Sequence, residues 1–283
     1  MEIILAQENA HYFIPQVTPE VARDRVEQKK TSLVAGTVGA LISRPKPEEI
    51  QLTSIENRFE PFWQISVASR TVYDRNKTYT LPVMGNEVKR VTLLGQQLEI
   101  DPKAKGGPAL VLSGTEHCTQ EFRAQRTFNG LTGEKADYGK HLAYAKTEIA
   151  DLANFKPEGV LVLTPQVRAA AVVRQLMAEV VKPVQGAQVI HEEKVNVEVM
   201  DLNFRPVYAF QYEWAAKNKK TVVEFDALTG EMTTNGKTWG NQLQSVLTKD
   251  LIFDLTSDAV GMFVPGGSIA VKLVRAVVDR KQE

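Results

Sequence analysis

Alternation of apolar and polar positions is the strongest signal in this chain. Tyr208, Phe210, Tyr212 and Trp214 stand at every second position, so an extended strand would carry four rings on one face. Ala216-Lys217-Asn218-Lys219 interrupts the pattern, and Thr221-Val222-Val223-Glu224-Phe225 resumes it. The pair reads as a β-hairpin with an aromatic stripe. Such a stripe is either a core face under a helix or an exposed platform for a ligand, a peptide or nucleic-acid bases. The core is the commoner use.

Helical spacing appears twice. Thr18-Pro19-Glu20 is a helix start, with Thr at the N-cap and Pro at the first helical position. Ala22, Val26, Leu33, Thr37, Val38 and Leu41 continue it as an apolar stripe, and Gly36 and Gly39 weaken its second half. Thr164-Pro165 opens a second helix, in which Val173, Leu176, Met177, Val180 and Val181 keep the spacing until Pro183. Each helix leads into strands. Trp63, Ile65 and Val67 alternate, Asp74-Arg75-Asn76-Lys77 reads as a turn, and residues 78–83 as the return strand. Further short strands are expected at 88–93 and 97–100, and Lys103-Ala104-Lys105-Gly106-Gly107-Pro108 as a linker. Residues 115–128 read as a strand, 137–154 as a helix, and Val195, Val197 and Val199 as a strand. An amphipathic helix is expected over 269–280.

Phe59 to Ile65 and Phe204 to Phe210 share one order: Phe, any residue, Pro, apolar, aromatic, any residue, apolar. Thr18 and Thr164, like Pro61 and Pro206, lie at nearly one offset, which points to an internal duplication. The expected fold is therefore α+β, two helix-plus-antiparallel-sheet repeats followed by a C-terminal amphipathic helix. Its parts are a first repeat over 1–105, bridging strands and a helix over 106–158, a second repeat over 159–240, and the C-terminal segment 241–283.

Phe225-Asp226-Ala227-Leu228-Thr229-Gly230-Glu231-Met232 resembles the strand-and-turn signature of PepSY-type domains, and Asn129-Gly130-Leu131-Thr132-Gly133-Glu134 is similar without the aspartate. A helix followed by long antiparallel strands also resembles the cystatin-like arrangement. The resemblance covers some 70 residues and implies a mostly non-enzymatic role. PepSY-type domains usually lie outside the cytoplasm. The start of this sequence has no basic n-region or long apolar core, so the fold hint carries over and a protease-regulating role does not.

Composition narrows the function classes. Hydrophobic residues are 43% and charged residues 24% of 283, as in globular proteins. Lys plus Arg and Asp plus Glu are 34 each, so no global field draws the chain to nucleic acid or anionic membrane. One cysteine, Cys118, excludes an internal disulfide and a cysteine-rich zinc cluster. No apolar run is long enough for a membrane helix, and a cytoplasmic location is expected.

Candidate chemistry is sparse. Glu116-His117-Cys118 with Glu121 contains a thiol beside an imidazole, the pair of a cysteine-dependent hydrolase. On a strand adjacent residues point apart, which favours a structural thiol. His191-Glu192-Glu193 lacks the second histidine of a metalloprotease helix, and Pro265-Gly266-Gly267-Ser268 lacks the Lys-Ser/Thr of a phosphate loop. Trp63, Arg70 and Tyr73 have the composition of a single-stranded nucleic-acid surface. The favoured expectation is a non-catalytic binding or scaffold protein. Its candidate binding residues are Trp63, Tyr73, Tyr208, Phe210, Tyr212 and Trp214, with no cofactor and no metal. A protein or small ligand is the expected partner rather than nucleic acid, and the C-terminal helix is the candidate surface for oligomerisation.

Overall fold

In a computed structural model the chain is mostly β. The structure describes residues 1–43, 45–234, 236–239, 248–255 and 272–275, with only the backbone of 37–43, 272, 273 and 275. In chain order the elements are β1 (Glu2–Leu5), β2 (Glu8–Phe13), α1 (Pro19–Ser43), β3 (Ile50–Pro82), β4 (Arg90–Leu93), β5 (Gln96–Glu99), β6 (Ala109–Asn129), β7 (Lys146–Glu148), β8 (Leu161–Val162), α2 (Ala169–Val180), β9 (Val189–Trp214), β10 (Lys219–Asp226), β11 (Met232–Thr233), α3 (Lys249–Phe253) and β12 (Lys272–Arg275). Ten strands form one mixed sheet, and β4 pairs with β5 separately. The expected α+β pair of cystatin-like repeats is thereby corrected.

The sheet is built on three long strands. β3 runs antiparallel to β9 from Ile50↔Trp214 to Asp74↔Val189, and antiparallel to β6 from Phe62↔Asn129 to Pro82↔Ala109. The far edge of β9 takes β10 antiparallel and β1 and β2 parallel. The expected turn at Asp74–Lys77 lies inside β3, because these polar residues meet cross-strand partners: Arg75 faces Glu116 and Asn76 faces Thr115. Likewise 195–199 and 208–214 belong to one strand. The expected helix over 137–154 is replaced by a short 3-10 turn at His141–Ala143 and by β7, and the described part of the expected C-terminal helix is β12, paired with β1. The rest of that helix falls outside the described residues.

α1 and α2 cover the same sheet face. α2 buries Val172, Val173, Leu176 and Met177 against Trp63, Ile65, Val67, Phe128 and Leu202. α1 buries Ala22, Val26 and Val34 against the aromatic stripe and Phe225. Thr18 Oγ1 accepts a hydrogen bond from Val21 N–H at the start of α1, and Gly36, at φ 75 and ψ 163, breaks its helical backbone. α2 begins at Ala169, five positions after Thr164, so the two threonines are not equivalent.

The repeated pattern survives in the turns and is exchanged between halves. Asn129 and Asp226 each accept two backbone N–H groups on Oδ1, from Leu131 and Thr132 and from Leu228 and Thr229. Gly133 and Gly230 close the turns at φ 75 and 74. Gln166 and Val167, which lead into α2, donate to Gly130 O in the turn after β6; Gln16 and Val17, which lead into α1, donate to Ala227 O in the turn after β10. The helix of each half thus lies on the hairpin of the other. Two self-contained tandem units do not form.

Candidate binding surface

The aromatic stripe is core. Tyr208, Phe210, Tyr212 and Trp214 are at most 5% exposed. The Tyr208 hydroxyl donates to Val17 O at 2.9 Å, the Tyr212 hydroxyl to Glu27 at 2.8 Å and Trp214 Nε1 to Glu49 at 3.3 Å. α1 and its flanking residues therefore satisfy the polar tips while covering the rings, as burial of such rings demands. Trp63 is fully buried, with Nε1 donating to Val167 O at 2.9 Å, and Tyr73 is buried where β3 still pairs with both β6 and β9. None of the six is available as a platform. Arg70 is exposed, but Glu121 and Glu192 flank it.

His117 and Cys118 project to opposite faces, as alternation requires. His117 Nδ1 lies 2.7 Å from Asp74, and His191 Nε2 lies 2.8 Å from the other oxygen of the same carboxylate. Hydrogen bonds from His191 and His117 hold the Asp74 carboxyl below its ordinary range. The Cys118 thiol points to Glu116 O at 3.6 Å, so the structure does not bring thiol and imidazole together. Among the described residues no group of three or more His, Cys, Asp or Glu has the arrangement of a metal site.

A second polar cluster was not singled out from the sequence. On the face opposite the helices, Arg58 is 1% exposed and binds Glu60, Glu224, Glu56 at 3.2 Å and Lys237 O at 2.6 Å. Arg205 bridges Glu60 and Asp226, the latter at 2.6 Å, and lies over the Tyr138 ring. His141 Nε2 sits 2.7 Å from Asp226. Burial raises the Asp226 pKa, but His141 and Arg205 outweigh it and hold the carboxyl well below its ordinary range. Phe62, Phe13, Tyr138 and Leu228 pack beside the cluster. It fastens the β3–β9–β10 crossing from behind. Its sequence signal was a charged residue beside each repeated proline, Glu60 before Pro61 and Arg205 before Pro206.

What remains open is the arm formed by β3 and β6. Beyond Asp74, β3 has left β9 and pairs with β6 alone as far as Pro82↔Ala109. Residues 83–108 close the arm, so the glycine-rich stretch at 103–108 joins paired strands. Tyr79, Leu81 and Phe122 are exposed on it, and Met84 and Leu94 near the tip are 92% and 97% exposed. Along its outer edge β6 has no strand partner among the described residues between 110 and 126. Ala109 is taken by Asp101, and Thr127 by Ala136. That edge spans roughly 55 Å of backbone at 3.3 Å per residue. It contains neither proline nor lysine, the residues that usually blunt an edge. Its charges are already engaged within the chain: Glu116 by Arg75, Glu121 by Arg70, Arg123 by Glu198 and Arg126 by Glu179.

Comparison with protein-family models, curated proteins and solved structures finds no match to this chain. Among the described residues no helix is long and apolar enough to cross a membrane.

Proposed function

We propose that this chain is a non-catalytic binding or scaffold protein whose docking element is the β3–β6 arm. Its partner is an extended polypeptide segment that adds a strand to β6. The edge of β6 that is unpaired among the described residues carries this reading, since its backbone N–H and C=O groups form a template for one more strand. The three-stranded base of the arm holds that template in place without help from a ligand. Internal ion pairing of the edge charges leaves the backbone presentable.

Selection of displayed peptides on the full chain, followed by amide hydrogen exchange, tests the reading. Extended peptides with alternating apolar residues are expected to emerge and to slow exchange at residues 110–126. On a chain that sediments as a monomer, selected peptides that protect only other segments, or a selection that yields none, would remove the arm as the docking element.

A further inference from the structure

We infer that the strand docking on β6 is supplied by a second copy of this chain, the two β6 strands pairing antiparallel about Phe122. This identification of the partner rests on the docking role of β6 proposed above. In a two-fold antiparallel ladder one residue must face itself, and residues equally far on either side of it face each other. Apart from His117, β6 carries Glu116, Glu121, Arg123 and Arg126 as its charged side chains. Only two opposite-sign pairs among them are symmetric about a residue. Glu116 and Arg126 are symmetric about Glu121, which would set Glu121 against its own copy, and like charges directly opposite are unfavourable. Glu121 and Arg123 are symmetric about Phe122. That register sets two half-exposed phenylalanines against each other and makes the Glu121–Arg123 match twice.

The surrounding charges extend the match. Arg70 already lies 3.5 Å from Glu121, and Glu198 lies 2.8 Å from Arg123. Pairing about Phe122 therefore lines up Arg70, Glu121, Arg123 of the second copy and Glu198 of the second copy, alternating in sign. The ladder covers Cys118 to Arg126 in each copy, because Ala136 occupies the edge at Thr127. At that end the ladder stops beside an open groove lined by Gln125, Arg126, Thr127 and Lys135.

Sedimentation of the full chain tests the register. The wild type is expected to run at twice its monomer mass. E121R sets arginine against arginine in both facing pairs at the centre and R123E glutamate against glutamate, so each alone is expected to be monomeric, and an equimolar mixture to recover the doubled mass. Glu121 and Arg123 are well exposed, and matching circular dichroism checks that the variants fold. Independently of charge, C118S/F122C is expected to form a disulfide-linked dimer on mild oxidation, whereas C118S/Q125C is not, since Gln125 faces Thr119. A monomeric wild type, an E121R variant that dimerises like the wild type, or a mixture that stays monomeric would each overturn the proposal. If the wild type is monomeric while selected peptides still protect 110–126, the second copy fails as partner and the docking role stands; if those peptides fail too, both fall.

Discussion

Asp226 shows how one side chain serves two structures. Its Oδ1 caps a turn through Leu228 and Thr229, while its Oδ2 holds Arg205 and His141. Asn129 performs the capping role alone in the matching turn, so Asp226→Asn should keep the turn and remove the charge. Arg205 would retain Glu60, and the expected cost at pH 7 is about 2–3 kcal/mol, read from denaturant midpoints. The folded Asp226 carboxyl sits below its unfolded value. Its stabilisation is thus complete above the ordinary carboxylate range near pH ~4 and is lost as pH falls below it. The variant should lose less stability than the wild type between pH 7 and pH 3; an equal loss would deny the pairing its role. Gly130 tests close approach instead. A Cβ there would lie 2.7 Å from Pro61 O, so Gly130→Ala should destabilise by about 1–3 kcal/mol in the same assay.

Among the elements, the β4–β5 hairpin and α1 each carry a residue at odds with its backbone or surroundings. Leu94 and Gly95 turn the hairpin at φ 51 and 78, a two-residue turn with positive φ at both positions that favours Asn-Gly. A leucine there, fully exposed, meets both a steric and a solvation cost. Leu94→Asn should stabilise the hairpin by roughly 1 kcal/mol, seen as slower amide exchange in β4 and β5. In α1, Gly36 occupies a region open essentially to glycine, and Gly36→Ala should cost about 1–3 kcal/mol in thermal or denaturant unfolding. The sequence reading anticipated a weak point at Gly36. It also anticipated the β4–β5 strands around Gly95, because both signals are local: glycine and short-range alternation.

For the molecule as a whole, exchange of helices between hairpins ties the halves into one sheet. Each turn needs residues from the other half to satisfy its carbonyl, Gly130 O from Gln166 and Val167, and Ala227 O from Gln16 and Val17. Separated halves would each lose the helix that covers their hairpin. Expression of residues 1–158 and 159–283 as separate chains should therefore give two species without cooperative unfolding, whereas independent melting of either would show that the exchange is dispensable.

Local pattern alone determined the aromatic stripe, the start of α1, the paired Leu-Thr-Gly-Glu turns and the divergence of His117 from Cys118, because each depends on residues a few positions apart. Only the tertiary structure decided which strands are continuous. Asp74 to Lys77 has turn composition, yet partners on β6 and β9 hold it extended. The same long-range pairing put each helix on the opposite hairpin, brought Glu224 to Arg58 and Glu60 to Arg205, and left the outer edge of β6 without a strand partner among the described residues. Those outcomes depend on which segments distant in sequence meet, and neither periodicity nor turn chemistry encodes that choice.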